Sequence, residues 1–455
     1  MKTIKLLQLC GMMSLSLFLW QCSDLEEEVF SQSTEDTFFQ NVNDIQAALT
    51  GMYRPMQTLG GYQQAGHFIL NGTSDEGKMA RQWGTFDRLD YTPLSNGEIN
   101  DWWRTSYQSI SGANLIIDNK EKIENLIGDD SKAVVAEAKF LRAVIYFQLV
   151  QMYGGVPLRV KQVRRADGVN IARSTEEEVY DQIIADFEAA EEDLPPNSDP
   201  GVIKKSAATA YLAKVYLTRN NYPKALEKAT EVVNSGAYGL AQTFSDVFDI
   251  ASENGSEDIF TIQYVRSDGQ GMRLESLTNA WGLGGTETDL YYKYDPTDSR
   301  RSITFLDDAI VNNGTSPEKQ GKYVDPDKAS ADGQGNNFIV YRYADLLLIK
   351  AEAENEANGP TTAAYAEINK VRSRANLPNL ASNLSKDEFR EAVWNERNLE
   401  LAMEEIRWYD LKRAGRLESV LSATGATWND KYLLFPIPQQ EIDASNGLIT
   451  QNPGY

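Results

Sequence analysis

The chain has a single histidine, His67, and only two cysteines, Cys10 and Cys22, in 455 residues. So small a stock excludes a disulfide framework and Cys/His zinc clusters, and leaves no spare copy for a Cys–His catalytic pair. Positive charge is also short: 44 Lys and Arg face 66 Asp and Glu, a net charge of −22. A surface of that sign repels phosphate backbones and anionic lipid, so nucleic acid is excluded as a partner. Beyond the N-terminus no long uncharged apolar run occurs, and no downstream helix is expected to span a bilayer. What is present is apolar material, 42% of the chain, ample for a large core.

The N-terminus carries Lys2 and Lys5, then a mostly apolar stretch from Leu6 to Trp20 interrupted by Gln8, Ser14 and Ser16. This pattern is a secretory signal and is too short for a comfortable membrane helix. Cys22 sits at the apolar/polar junction, before Ser23-Asp24-Leu25-Glu26-Glu27-Glu28. That arrangement resembles a bacterial lipoprotein box, although Trp20 and Gln21 replace the small residues such boxes usually carry. It implies a signal over 1–21, acylation of Cys22, and an acidic tether over 22–40. Several acyl chains give stable anchoring where a single chain gives marginal binding. The acidic stretch also resembles the signal that sends Bacteroidetes-type lipoproteins to the cell surface. Cys10 leaves with the signal, so no free thiol survives, as suits an oxidising compartment.

From residue 41 the periodicity is helical over long stretches. Asn43 to Leu59 opens with a cap signal and stops at Gly60-Gly61. Asp101 to Ile123 is helical, and within Glu137 to Leu158 every position from Phe140 to Val150 except Arg142 and Gln148 is apolar, as in a helix surrounded by others. Ser174 and Glu177 read as a capping box for the next helix, which ends at Leu194-Pro195-Pro196. Lys204 to Tyr238 gives helix, tight turn at Asn220-Asn221, helix. Small Ala213 and Ala225 allow close approach there, and Tyr216 fills the groove. This spacing resembles a tetratricopeptide repeat, which must stack on neighbours to bury its apolar face. A second hairpin spans YRYADLLLIKAEAENE and TTAAYAEINKVRSRANL about Gly359-Pro360; a third pairs Glu388–Met403 with Arg407–Arg413. The fold class expected is mainly α: a tetratricopeptide-like α-α superhelix, with repeats at about 41–59, 101–240 and 341–415. Regions at about 60–100 and 240–340 are rich in Gly, Asp, Asn and aromatics without periodicity, and 421–455 is non-helical. Long irregular insertions of this kind are uncommon unless functional.

Several of these segments together resemble the SusD/RagB family of outer-membrane nutrient-binding lipoproteins. They are EAKFLRAVIYFQLVQMYGGVPL, the repeat at Lys204 to Tyr238, YRYADLLLIKAEAENE with AEINKVRSRANLP, ERNLELAMEEIRWYDLKRAG, and the terminal FPIPQQEIDASNGLITQNPGY. The resemblance implies one domain over 41–455 with a loop-rich, irregular ligand-binding half built on the superhelix. It implies capture of oligosaccharide at the cell surface and delivery to a SusC-like TonB-dependent transporter, from an outer-membrane lipid anchor facing the exterior. In the RagB branch the cargo is peptide. No enzyme activity, cofactor or metal is implied.

Binding glycan without catalysis calls for flat aromatic faces and planar polar groups on loops held by a rigid frame. Two loops carry that combination. The first, TSDEGKMARQWGTFDRLDY, offers Trp83 with Arg81 and Asp75. The second, SLTNAWGLGGTETDLYYKYD, offers Trp281 between Asn279 and Gly282, with Tyr292 beyond. Trp102, Trp103 and Tyr107 lie on a helix, where at least two should be core. Trp394, Trp408 and Trp428 read as structural, and Arg407 and Asp410 as a helix-surface pair.

A glycoside hydrolase is the competing class, since two carboxylates suffice for its chemistry. Glu287 with Asp289, or Asp75 with Glu76, are candidate pairs, but with 66 acidic residues such neighbours arise by chance. His67 has no sequence-level partner. Asp325, Asp327 and Asp332 do not match the EF-hand spacing. A pure protein-interaction scaffold would not carry a hundred-residue irregular insertion between repeats.

Overall fold

The computed structural model describes residues 38–94, 97–162, 171–267, 271–286, 288–306, 319–330 and 333–455. The signal over 1–21, Cys22, most of the tether, Glu287 and Asp332 lie outside the described residues. The described residues are 57% helix and 5% strand, which settles the class as mainly α.

Helix α1, Val42–Tyr53, begins at a capping box in which Asn41 accepts from the Asn43 amide and Asp44 reaches back to the cap. α2, Gly97–Asp118, and α3, Lys120–Ile127, occupy the next helical stretch. α4, Ser131–Tyr153, is buried on almost every side, as its composition requires. Its exception, Arg142, is also buried: Nε and a terminal nitrogen donate to both oxygens of Asp186 at 2.8 and 2.7 Å. Asp186 belongs to α5, Glu176–Asp193. The bidentate pair is thus the polar pin between two apolar helices. The cap of α5 is Thr175 with Glu178, one residue beyond the Ser174–Glu177 box expected from the sequence. Both spacings satisfy the pattern, and the Thr175 hydroxyl is the one that meets the third amide of the helix.

α6, Lys205–Thr218, and α7, Tyr222–Ser235, form the expected hairpin, turning at Asn220 with a left-handed φ of 56°. Ala213 and Ala225 are fully buried, and the Lys224 ammonium lies 5.0 Å from the centre of the Tyr216 ring in the groove. α8, Tyr343–Asn358, and α9, Thr362–Arg374, make the second hairpin. α10, Lys386–Glu400, α11, Arg407–Arg413, and α12, Leu417–Ala423, complete the frame. Successive helices pack side by side from α4 through α9, so each hairpin buries its apolar face on the next. One apolar cluster runs from Phe39 to Ile449. The terminal QNPGY docks on the end of α4, where the Asn452 amide donates to the Tyr153 and Phe435 carbonyls at 3.0 and 2.7 Å.

The irregular half hangs on two small antiparallel sheets. β1 is Gly77–Met79, β2 Asp258–Ile262, β3 Gly284–Thr286 and β4 Phe338–Arg342. β2 pairs with β4 through Asp258↔Arg342 and Ile262↔Phe338, closing the base of the long excursion where it re-enters α8. Beneath it lies a buried ionic lattice. Arg342 reaches Glu257, Glu400 and Glu404, while Arg300 reaches Asp298, Glu396 and Glu400. No helix among the described residues is long and apolar enough to cross a membrane.

Candidate functional site

The two loops that carry Trp83 and Trp281 are about two hundred residues apart in sequence, and strand pairing brings them together. β1 runs antiparallel to β3 with Gly77↔Thr286, Lys78↔Gly285 and Met79↔Gly284, extended by Ala80 N–H donating to the Leu283 carbonyl at 2.8 Å. This register places Arg81 and Trp83, which follow β1, at the same end of the ladder as Trp281 and Asn279, which precede β3. Gly284 makes the pairing feasible: a Cβ there would meet Met79 Sδ at 2.6 Å, with His67 and Phe68 at 3.2 Å.

Trp83 is half-buried and held on two sides. Its ring stacks on the fully buried Phe68 with centroids 4.5 Å apart and planes at 22°, and its Nε1 donates to Glu98 at 2.5 Å. Phe68 covers only one face of the indole. Arg81, two residues earlier, is exposed and has a left-handed φ of 57°, a conformation that costs an ordinary residue about 1 kcal/mol and clusters at functional loops. Trp281 is 40% exposed, follows the π-helical turn Ser276–Ala280, and has the Arg273 guanidinium 5.5 Å from its ring centre. Gly282, with φ 59°, turns the chain immediately after it.

The other sequence candidates divide. Asn279 turns inward: its amide donates to the Gln320 carbonyl at 2.9 Å and braces the loop. Asp75 precedes β1 and so lies at the opposite end of the ladder from Trp83. Both its oxygens are taken, by Arg407 at 2.7 and 3.0 Å and by Lys293 at 2.9 Å. Burial pushes its carboxyl up, but Arg407 and Lys293 outweigh that and hold it at about 2. Tyr292 is 70% exposed on the short helix Thr288–Lys293, edge-on to Tyr291 at 5.3 Å, at the Asp75 end. The surface pair expected between Arg407 and Asp410 is not formed. Arg407 turns to Asp75, and Asp410 accepts from Arg397 and Arg413 at 2.7 and 2.9 Å.

The carboxylate pair Asp75 and Glu76 has divergent acidities. Burial, reinforced by the neighbouring Asp75 charge, pushes Glu76 up to about 8. Yet Glu76 is 1% exposed and accepts the Met403 amide at 2.9 Å, so it is walled off from any substrate. His67 is fully buried, takes Asn71 at 2.9 Å, and is pushed down to about 3 by burial. Trp102, Trp103, Tyr107 and Trp408 are core, while Trp394 and Trp428 are half-buried. Asp325 spends its oxygens on Arg266 at 2.7 and 3.0 Å and on the Gly335 amide at 2.8 Å. Among the described residues no group of His, Cys, Asp or Glu is placed to hold a metal. Sequence reasoning missed Phe68, Glu98 and Arg273, which set the two indoles. None stands beside a tryptophan in sequence, and only the fold aligns them.

Residues 218–455 match a family model described as the SusD family, and residues 25–217 match one described as starch-binding, associating with outer membrane. The chain belongs to the SusD family. It is 32% identical to the SusD-like protein P2 of Formosa agariphila, over 97% of this chain and 98% of that protein. A SusD homolog of Bacteroides thetaiotaomicron superposes with a TM-score of 0.82 at 23% identity, covering 94% of this chain and 100% of its own, a likeness of fold. A laminarin-binding SusD-like protein superposes with a TM-score of 0.78 at 26% identity, over 91% of this chain and 100% of its own.

Proposed function

We propose that the protein is a cell-surface lipoprotein, anchored through Cys22 to the outer membrane, that binds oligosaccharide and delivers it to a SusC-like TonB-dependent transporter. The observation that carries this reading is the β1–β3 pairing, which sets Trp83, Arg81 and Trp281 on one rim. Trp83 is held by its stack on Phe68, and Trp281 is 40% exposed, as a ring that stacks on a sugar must be. Arg81 supplies planar donors beside them, and Tyr292 offers a further exposed ring at the other end of the ladder. Asp75 and Asn279 hold the loops and leave the contact itself to these neighbours. Kinship with a starch-binding family model and with a laminarin-binding protein favours a glycan cargo over the peptide of RagB-like relatives. The pair Asp75 and Glu76 gives catalysis no support: Asp75 is ion-paired on both oxygens and Glu76 is sealed. The acidic tether would hold the domain clear of the bilayer.

The test incubates the mature protein with a panel of plant and host oligosaccharides and reads both retardation in affinity gels and released reducing ends. Retardation without release is expected. Turnover would establish the hydrolase, and retention of peptides alone would establish the RagB-like alternative.

A further inference from the structure

Away from the loop rim, the helical half contains two adjoining hollows. The outer is a polar cleft of about 400 Å³ where the ends of α4 and α6 meet the start of α5 and one side of α11. The inner holds about 50 Å³ and is walled largely by apolar side chains, among them Phe147, Leu217 and Ile406. Gln151, Thr218, Tyr409 and Arg413 line both.

Two charged side chains lining the outer cleft have no counterion in contact among the described residues. Lys412 donates from its ammonium to the Gln151 carbonyl and touches no carboxylate. Glu176 accepts no hydrogen bond and touches no cation. The negative charge that acts on Lys412 is nonetheless that of Glu176. A cation and an anion thus stand apart in one cleft.

The end of α4 fixes where each stands. The Lys412 ammonium sits on the Gln151 carbonyl, and Glu176 Oε1 lies over Gly154, where a Cβ would be 3.1 Å from it. Three residues separate those points, a helical rise of about 4.5 Å. Gln151 belongs to both hollows, so the ammonium stands at their junction. Glu176 lines only the outer cleft and stands at its mouth.

The other charges nearby are matched. Arg219 pairs with Glu177 at 2.6 Å, and Arg413 with Glu352 and Asp410. In the inner hollow Lys214 and Arg397 share Asp345 at 2.9 and 2.6 Å, and Glu404 takes Lys322 at 2.6 Å. Glu405 turns its carboxyl away from the hollow, onto Gly66 and the Trp102 edge. Arg173, the other cation whose charge reaches Glu176, is held by the Tyr153, Gly155 and Thr450 carbonyls.

A separated cation and anion are complemented by a ligand that carries the same two charges in reverse order. An α-amino acid does so on a single carbon, and both contacts would be charge-assisted hydrogen bonds. With its carboxylate at the junction and its ammonium at the mouth, its side chain is directed inward. At about 10–15 Å³ for each water-sized group, the inner hollow takes about four such groups, the bulk of a branched aliphatic side chain and less than a sugar ring. We propose that the two hollows form a binding site for a free aliphatic α-amino acid, with its carboxylate on Lys412, its ammonium on Glu176 and its side chain in the inner hollow.

The experiment is isothermal titration of the full mature chain with L-leucine at neutral pH. Three analogues run beside it: isocaproate, which lacks the ammonium, isoamylamine, which lacks the carboxylate, and glycine, which lacks the side chain. The expected result is saturable binding of leucine, with each analogue at least about tenfold weaker. Lys412→Met should abolish leucine binding with circular dichroism retained. Should that variant not fold, Glu176→Gln decides, since Glu176 is exposed and its replacement leaves the packing intact. It should bring leucine down to the affinity of isocaproate. No saturable heat with leucine, equal binding of leucine and isocaproate by the unaltered chain, or full leucine binding by a folded Lys412→Met or Glu176→Gln overturns the proposal.

Discussion

Arg407 Nε lies 2.7 Å from Asp75 Oδ1, and a terminal nitrogen of the same guanidinium lies 3.0 Å from Oδ2. The fork ties the loop ahead of β1 to the first turn of α11, which fastens the irregular half to the helical frame. Removing one side leaves the other buried and poorly matched, which typically costs about 3–5 kcal/mol. Arg407→Ala should lower the unfolding free energy measured by urea titration by that order and raise amide exchange across residues 75–90. Arg407→Lys should restore part of it, since a point charge cannot make the fork. Unchanged exchange in the loop would show that β1–β3 pairing alone holds it.

Glu76 should give the protein a falling stability through neutral pH. Its folded-state value of about 8 lies above the ordinary carboxyl value, because burial disfavours the charged form. The native state therefore binds the proton more tightly than the unfolded chain. That contribution is complete below about pH 4.5 and is lost as pH rises through about 8. Asp258, pushed up to about 7 by burial, adds to the same slope. Glu76→Gln should keep the bond from the Met403 amide, flatten part of the slope, and stabilise the protein by a few kcal/mol at about pH 8. Thermal melts of both proteins across about pH 5–8 measure it; parallel curves would contradict the burial argument.

Trp83 and Trp281 should separate when replaced. Trp83→Ala loses its stack on Phe68, about 1 kcal/mol of stability, as well as its outer face. Trp281→Ala, at an exposed ring, should leave melting unchanged. Both should weaken retention in glycan affinity gels by about tenfold. Glu98→Ala, which frees the indole nitrogen of Trp83, should weaken retention less than either. Wild-type retention in the Trp83 and Trp281 variants would move the site elsewhere on the irregular half.

Helices were legible wherever local chemistry defines them. The apolar run of α4, the alanines at 213 and 225 and the Gly359-Pro360 stop all act within a turn or two of themselves. The box at α5 moved by one residue because Ser174-Thr175 offers two hydroxyls and only backbone geometry selects between them. Trp83 and Trp281 were legible as candidates because glycine-rich, aperiodic sequence around an aromatic is unusual. The pairing of their loops was not: GKM and GGT are three residues each, too short for alternation to register. Likewise, nothing near Asp75 announces Arg407, some three hundred residues away, and nothing near Arg142 announces Asp186. Partners of buried charges are decided by packing between elements, so the side chains that brace the site came only with the fold.

The lattice under β2 and β4 is the most consequential of those long-range partnerships. Glu400 is fully buried and accepts from Arg300 and Arg342 at 3.0 and 2.6 Å and from Arg374. Burial alone would raise its carboxyl, but the guanidiniums of Arg374, Arg342 and Arg300 outweigh it and hold it far below the usual range. A group of that kind contributes stability above about pH 4 and loses it only in strong acid, opposite in sign to Glu76. Glu400→Gln keeps the shape but removes the charge on which three buried cations converge, and the expected loss is about 3–5 kcal/mol. The loss should be largest in the segments the lattice clamps, β4 and the turn at 298–304, and smallest in the α6–α7 hairpin, which shares none of its partners. Hydrogen exchange resolved by segment tests this directly, and uniform loosening across the chain would mean that the lattice does not act as a local clamp.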